Sequence, residues 1–314
     1  MNVTVKLIKN ELKKIHKSPR NLIFYLMILA IVIGIGLMSK YIDSATSEEN
    51  WKDQLENEIK ETQEFIDDNP EMPIGVKEDQ VKHINNLEYY LSSNTNPYEK
   101  NNWTFVMQAL KFSSVISLFT IILASEIVSN EFAKGTIKTL LTKPFKRWKI
   151  LLSKYCSMII FMFSLYLCLI ITSIIVGAFL FGIGDFNSSV IIATNTGYEQ
   201  QLLIPNILKY FCLKSLDIIV ICTITFMIST LFRSNTIALV LTLLLLFGSG
   251  FLTTWINNFS WGKYTLFPNM NLTQFMTYNF DNDNISMYFS LIAVILYSSL
   301  FLGITFYTFN KKDI

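Results

Sequence analysis

A chain of 314 residues that is 51% hydrophobic and only 16% charged has too little polar material to cover a water-soluble globule, so its apolar surface has to meet lipid. Its 24 acidic and 26 basic residues nearly cancel, so net charge points to no partner and no nucleic-acid ligand is expected; the information lies in how unevenly those charges are spread. Four cysteines (Cys156, Cys168, Cys212, Cys222) sit in or beside apolar stretches as small hydrophobes, and two histidines (His16, His83) flank the first apolar run, which excludes a disulfide framework, CxxC and HExxH zinc sites, and a Ser/His dyad around Gly248-Ser249-Gly250.

In residues 1–20, Val5, Ile8, Leu12 and Ile15 recur at helical spacing while Lys6, Lys9, Lys13 and Lys17 line another side, and Glu11 is the sole acid. The pattern reads either as a basic amphipathic helix lying along the inner leaflet or as a plain positively charged retention signal. Residues 21–39 then begin a set of six segments long enough to cross a bilayer as helices, the others being 107–127, 153–181, 208–232, 236–256 and 287–309. In hydrocarbon every backbone N–H and C=O must be paired, and a helix does this within one segment. The first run is longer than the core of a cleaved signal peptide and is read as a span. The third exceeds what a bilayer needs and is expected to tilt or project.

Residues 40–106 form a predicted external region; 41–104 hold fifteen acidic and five basic residues. Two helical stripes, Trp51, Leu55, Ile59, Ile66 and Val81, Ile84, Leu87, Leu91, are separated by Asn69-Pro70-Glu71-Met72-Pro73-Ile74-Gly75, whose prolines and glycine mark a reversal. An acidic helical hairpin follows, serving either as a lid or as a receptor surface for a cationic ligand. The connection 128–152 is basic, with Lys134, Lys138, Lys143, Lys146, Arg147 and Lys149 against Glu131. Residues 182–207 are expected as an external loop, and Arg233 lies in the turn after the fourth span. The segment 257–286, with Trp261, many aromatics and Pro268, reads as interfacial or re-entrant or as a simple surface loop. Residues 310–314 form a tail with Lys311 and Lys312. Basic loops resist translocation, so the basic regions belong on the cytosolic side. The expected fold is an all-α, multi-pass plasma-membrane protein with six transmembrane helices, cytosolic N and C termini, and an external helical hairpin between helices 1 and 2.

The basic connection contains Glu131-Phe-Ala-Lys-Gly135-Thr136-Ile-Lys-Thr-Leu140-Leu141-Thr-Lys-Pro144, and Lys154 opens the third span. Gly135 allows a turn, Thr136 can cap a following short helix, and Pro144 ends it. These residues resemble the signature of the ABC-2 family of exporter permeases, with Glu126 standing where that family often has another acid. The resemblance implies a coupling helix seated in a separate ATP-binding cassette ATPase, which would carry ATP and Mg, and a second permease copy or homologous permease. Without the family, the same stretch reads as a basic loop that sets topology. No GxxxxGK[ST] phosphate loop occurs in the sequence, so no nucleotide or other cofactor is expected on this chain itself.

Inside the spans, Lys214 and Asp217 are three residues apart in the outer part of the fourth and are expected to pair, while Glu126 is expected at the interface or beside a base such as Lys134. The leading functional reading is export of an amphipathic or hydrophobic substrate: a peptide, an antibiotic or a lipid-like compound. A non-transporting receptor or immunity protein that binds cationic peptides through its hairpin is the alternative. An intramembrane enzyme is disfavoured because Lys214, Asp217 and Glu126 are the few acid/base groups in the spans.

Overall fold

A computed structural model describes residues 3–46, 51–136, 146–194, 197–276 and 285–311. Among them, six helical stretches are long and apolar enough to cross a membrane: Pro19–Ile42, Asn102–Ala133, Arg147–Phe181, Leu203–Phe232, Asn235–Asn257 and Met287–Lys311. In chain order α1 (Val3–Lys17) precedes α2 (Pro19–Thr46), which carries span 1; α3 (Trp51–Asp68) and α4 (Ile74–Ser92) follow. Span 2 is α5 (Asn102–Leu110) and α6 (Ser114–Ala133), joined by the 3-10 turn Lys111–Ser113, and span 3 is α7 (Arg147–Phe181). After strands β1 (Ser189–Thr194) and β2 (Gly197–Leu202), α8 (Leu203–Phe232) and α9 (Asn235–Asn257) form spans 4 and 5; short α10 (Leu266–Asn269) precedes α11 (Met287–Lys311), span 6.

Several helices run past the limits that apolarity alone suggests. Polar residues such as Asn102, Thr104 and Asn206 interrupt the hydrophobic run, yet they lie within α5 and α8. Asn101 caps α5: its side chain accepts from the Trp103 and Thr104 N–H groups while the Thr104 hydroxyl answers its backbone, which removes two of the unpaired donors of a helix start. The end of α7 is tied to this cap. Asn102 Oδ1 accepts from the Gly184 N–H at 2.9 Å and the Trp103 indole donates to the Gly184 carbonyl at 3.3 Å; a Cβ at Gly184 would fall 2.5 Å from the Asn101 side chain.

The bundle centres on α6 against α8. Ala124, Ser125, Ser129, Thr225 and Ser229 are all buried, and small side chains let two backbones approach closely where water offers no driving force. Ser229 Oγ donates across the seam to the Ser125 carbonyl at 2.6 Å, while Ser129 and Thr225 donate to carbonyls of their own helices. On α2, Phe24, Ile28 and Val32 form the buried line, while Leu22, Leu26, Met27 and Leu37 stay exposed.

At one end of the bundle, α3 and α4 pack together with Leu55, Ile66, Ile84 and Leu87 buried, and the Met72 N–H bonds the Asn69 carbonyl at 3.1 Å in the reversal. Val81 is exposed, although the sequence stripe includes it. Glu58 joins the hairpin to the chain beyond it, with His83 Nε2 3.0 Å from Oε1 and the Tyr98 hydroxyl donating to Oε2 at 2.9 Å. Burial and the Glu58 carboxylate push the Tyr98 pKa up to about 12.

The fold is helical as expected, with one addition inside the connection 182–207: β1 and β2 pair antiparallel, Ile191 opposite Gln200 and Val190 opposite Gln201, because β-branched residues in Ser189–Thr194 suit a pleated ribbon. Of the readings open for 257–286, the described part agrees with a segment that enters the bundle. Leu272 is fully buried and donates its N–H to Asp217 Oδ1 at 3.0 Å, and Asn269 accepts from Ser290 on α11 at 2.7 Å. Burying this irregular backbone is tolerated because protein groups satisfy it.

Candidate functional site

The charged residues that the sequence singles out gather at two depths. At the end of the bundle opposite the hairpin, α1 supplies Glu11 and Lys14 one helical turn apart, α6 supplies Glu131 near its last turn, and α7 supplies Lys154. Lys14 Nζ donates to Glu11 Oε1 and to Glu131 Oε1, each at 3.2 Å; Lys154 Nζ donates to Glu131 Oε1 at 3.2 Å and to Glu11 Oε2 at 3.4 Å. Four charges of alternating sign thus close a ring, and the Thr136 hydroxyl completes it by donating to Glu131 Oε2. The Lys154 side chain is 3% exposed, whereas that of Lys14 is 56% exposed. Burial works to lower the Lys14 pKa, but the Glu11 and Glu131 carboxylates outweigh it and hold that ammonium above its ordinary value.

Gly135 makes the ring possible. It stands just past the end of α6 at φ +67°, with its N–H on the Phe132 carbonyl at 3.1 Å, the left-handed stop that glycine adopts without a Cβ penalty. The reversal brings Thr136 back onto Glu131. Thr136 is therefore a partner of Glu131; the short helix it was expected to cap, and with it Leu140, Leu141 and Pro144, lies in 137–145, outside the described residues.

A second ion pair on α6 lies five residues before Glu131. Arg20, at the start of α2, donates to both carboxylate oxygens of Glu126, and Asn130 Nδ2 donates to Glu126 Oε2 at 3.2 Å. The expected partner Lys134 instead serves as the C-terminal cap of α6. Glu11, Lys14 and Arg20 were not singled out from sequence, although one signal was there: Glu11 is the sole acid among six basic residues. Arg233, in the turn between α8 and α9, stacks its guanidinium 4.7 Å from the Phe132 ring centre, so the basic turns converge on this end. Helix α1 itself docks on α7, with Ile15 and Glu11 buried and the Ser157 hydroxyl donating to the Ile8 carbonyl. It is part of the bundle and not a free surface helix.

The second depth is the middle of the bundle. Lys214 and Asp217 do pair, Nζ to Oδ2 at 3.8 Å, and Asp217 is the fifteenth of the thirty residues of α8, halfway along that helix. Among the described residues no group of three or more His, Cys, Asp or Glu is placed to hold a metal.

Comparison with known proteins gives three matches. The family model described as "Protein of unknown function (DUF2705)" matches residues 75–314. The uncharacterized protein YhcI of Bacillus subtilis is 30% identical over 311 residues, 98% of each chain, and the uncharacterized membrane protein YdbK of the same organism is 29% identical over 205 residues, 64% of this chain and 78% of its own. These matches overturn the expected ABC-2 membership: the family match spans Glu126 through Lys154, and it is to DUF2705. The physical reason that the motif misled is visible in the ring. Glu131, Gly135, Thr136 and Lys154 form a helix stop and an internal charge network, a use for these residue types that needs no family.

Proposed function

Because the chain belongs to the DUF2705 family of proteins of unknown function, its activity has to be argued from its own residues, and we propose that it is the membrane-spanning subunit of an ATP-driven transporter whose ATPase, with its ATP and Mg, is a separate polypeptide acting at the basic end. The observation that carries this reading is the closed charge ring of Glu11, Lys14, Glu131 and Lys154. It fastens the amphipathic helix α1 to the bases of spans 2 and 3, the two spans that the basic connection joins in sequence. Buried ion pairs in a network resist separation, so a push delivered at this surface moves the two spans together. That is the mechanical property a subunit needs if a partner's closure is to reach its membrane interior.

In this reading the basic end is cytosolic, in keeping with the gathering of Lys14, Arg20, Lys154 and Arg233 there, and the acidic α3–α4 hairpin is external. The membrane is the plasma membrane. The apolar spans, with few charges, suit an amphipathic cargo better than an ion, and the sequence offers no phosphate loop of its own.

The test is purification of tagged protein in mild detergent with ATP hydrolysis measured in the eluate, comparing wild type with Glu131→Ala. Hydrolysis that accompanies the wild type and falls severalfold in the variant supports the reading. An eluate without hydrolysis removes the ATPase partner, and equal hydrolysis from both removes the ring from the coupling and leaves it as a structural clamp.

A further inference from the structure

A cavity of about 480 Å³ opens at mid-depth among α6, α8, α9 and the buried segment that follows α9, within the size range of small-molecule sites. We propose that it binds an amphipathic primary ammonium compound, with Asp217 as the anionic anchor. This inference does not rest on the transport reading, since binding requires no ATPase.

The acceptors on the walls lead to it, beside Asn271, which offers donors, its Oδ1 accepting from the Thr273 hydroxyl at 2.8 Å. Ser117, Ser249 and Thr253 line the cavity, and each hydroxyl spends its proton on a carbonyl of its own helix, at 2.6, 2.7 and 2.8 Å. What such hydroxyls still offer is an acceptor oxygen. Gln274 donates one amide N–H to the Pro268 carbonyl at 3.0 Å and keeps its carbonyl oxygen as an acceptor beside the second N–H. Asp217 is 6% exposed, and while Oδ1 accepts from the Leu272 N–H, Oδ2 is buried with no hydrogen-bond donor. The Lys214 ammonium at 3.8 Å balances its charge from beyond hydrogen-bonding distance. A buried carboxylate oxygen in that condition is costly unless something donates to it.

A ligand ammonium supplies what is missing, with N–H donors for Oδ2 and for the surrounding acceptors. Lys214, 22% exposed on a flexible four-carbon stem, then acts as the resident cation that the ligand displaces. The remaining wall, Ile221, Leu246, Phe267 and Met270, suits an apolar body attached to the amine. The chemistry selects for N–H donors and not merely for positive charge, which separates a primary from a quaternary ammonium, and it selects against a carboxylate.

The experiment is calorimetric titration of hexylammonium, hexyltrimethylammonium and hexanoate into the full chain in lipid nanodiscs, with empty nanodiscs subtracted. Saturable binding of hexylammonium is expected, about tenfold tighter than hexyltrimethylammonium because a hydrogen bond to a charged group is lost, and no binding of hexanoate. Asp217→Asn abolishes binding, while Lys214→Gln removes the competing cation and tightens it severalfold. Should Asp217→Asn fail to fold, Thr253→Val, nearly isosteric and lacking the acceptor oxygen, is expected to weaken hexylammonium severalfold with helicity unchanged. Absence of saturable binding to the wild type, a preference for hexanoate, weaker binding to Lys214→Gln, or unaltered binding to whichever of Asp217→Asn and Thr253→Val folds overturns the proposal.

Discussion

The two buried charge clusters of this bundle differ in completeness. In the ring at the basic end all four carboxylate oxygens of Glu11 and Glu131 accept a hydrogen bond. Halfway along α8 one oxygen of Asp217 accepts and the other is buried without a donor, in a residue that lines a cavity. A closed network fixes the helices that contribute to it; an open one costs stability and is kept where something has to bind. Electrostatics of the same kind thus serves a joint in one place and a receptive surface in the other.

Removing a member of the closed cluster is expected to have the largest effect. Lys154→Ala leaves two carboxylates sharing one exposed ammonium and is expected to cost about 3–5 kcal/mol, the usual penalty for breaking a buried pair, read as a large drop in thermal midpoint in detergent. The comparison sharpens with Glu11→Gln/Glu131→Gln/Lys154→Met, which removes the buried charges together and should recover most of that loss. Gly135→Val comes next: a β-branched residue at φ +67° is expected to cost about 1–2 kcal/mol and to loosen Thr136 from Glu131. Asp217→Asn is expected to cost about 1 kcal/mol or less in the absence of ligand, since asparagine keeps an acceptor for the Leu272 N–H and Lys214 can reach the cavity water. A cost as large as that of Lys154→Ala would break the distinction between joint and receptive site.

The exposed Glu58 cluster of the hairpin gives the smallest effect. Since the Tyr98 pKa is raised to about 12, its contribution is fully present below the unfolded value near 10 and is lost as pH rises from there through about 12. Difference absorbance between wild type and Tyr98→Phe should place the phenol transition near 12, and Glu58→Gln should bring it down.

Much of this protein was legible in the sequence. The six spans follow from apolar length, the hairpin from two stripes around Pro70 and Pro73, and the stop after α6 from Gly135, because each depends on local backbone pairing or a local φ requirement. The β1–β2 pair was not legible, since six-residue strands beside a span carry little periodic signal. The faces of the spans were not legible either. In α2, Phe24 and Leu26 are equally apolar, and lipid rewards both, so only packing decides that Phe24 is buried and Leu26 is not.

The site divides along the same line. Glu126, Lys214 and Asp217 stand out in the sequence because a charge in or beside an apolar run is unusual wherever it falls, while Glu131 and Lys154 were marked only by the motif between spans 2 and 3. The tertiary structure alone decided their company: Lys154 with Glu11 across 143 residues, Arg20 with Glu126 across 106, and the Leu272 backbone with Asp217 across 55. Contacts at such separations are set by how helices cross and where a chain re-enters the bundle, and no local pattern encodes them.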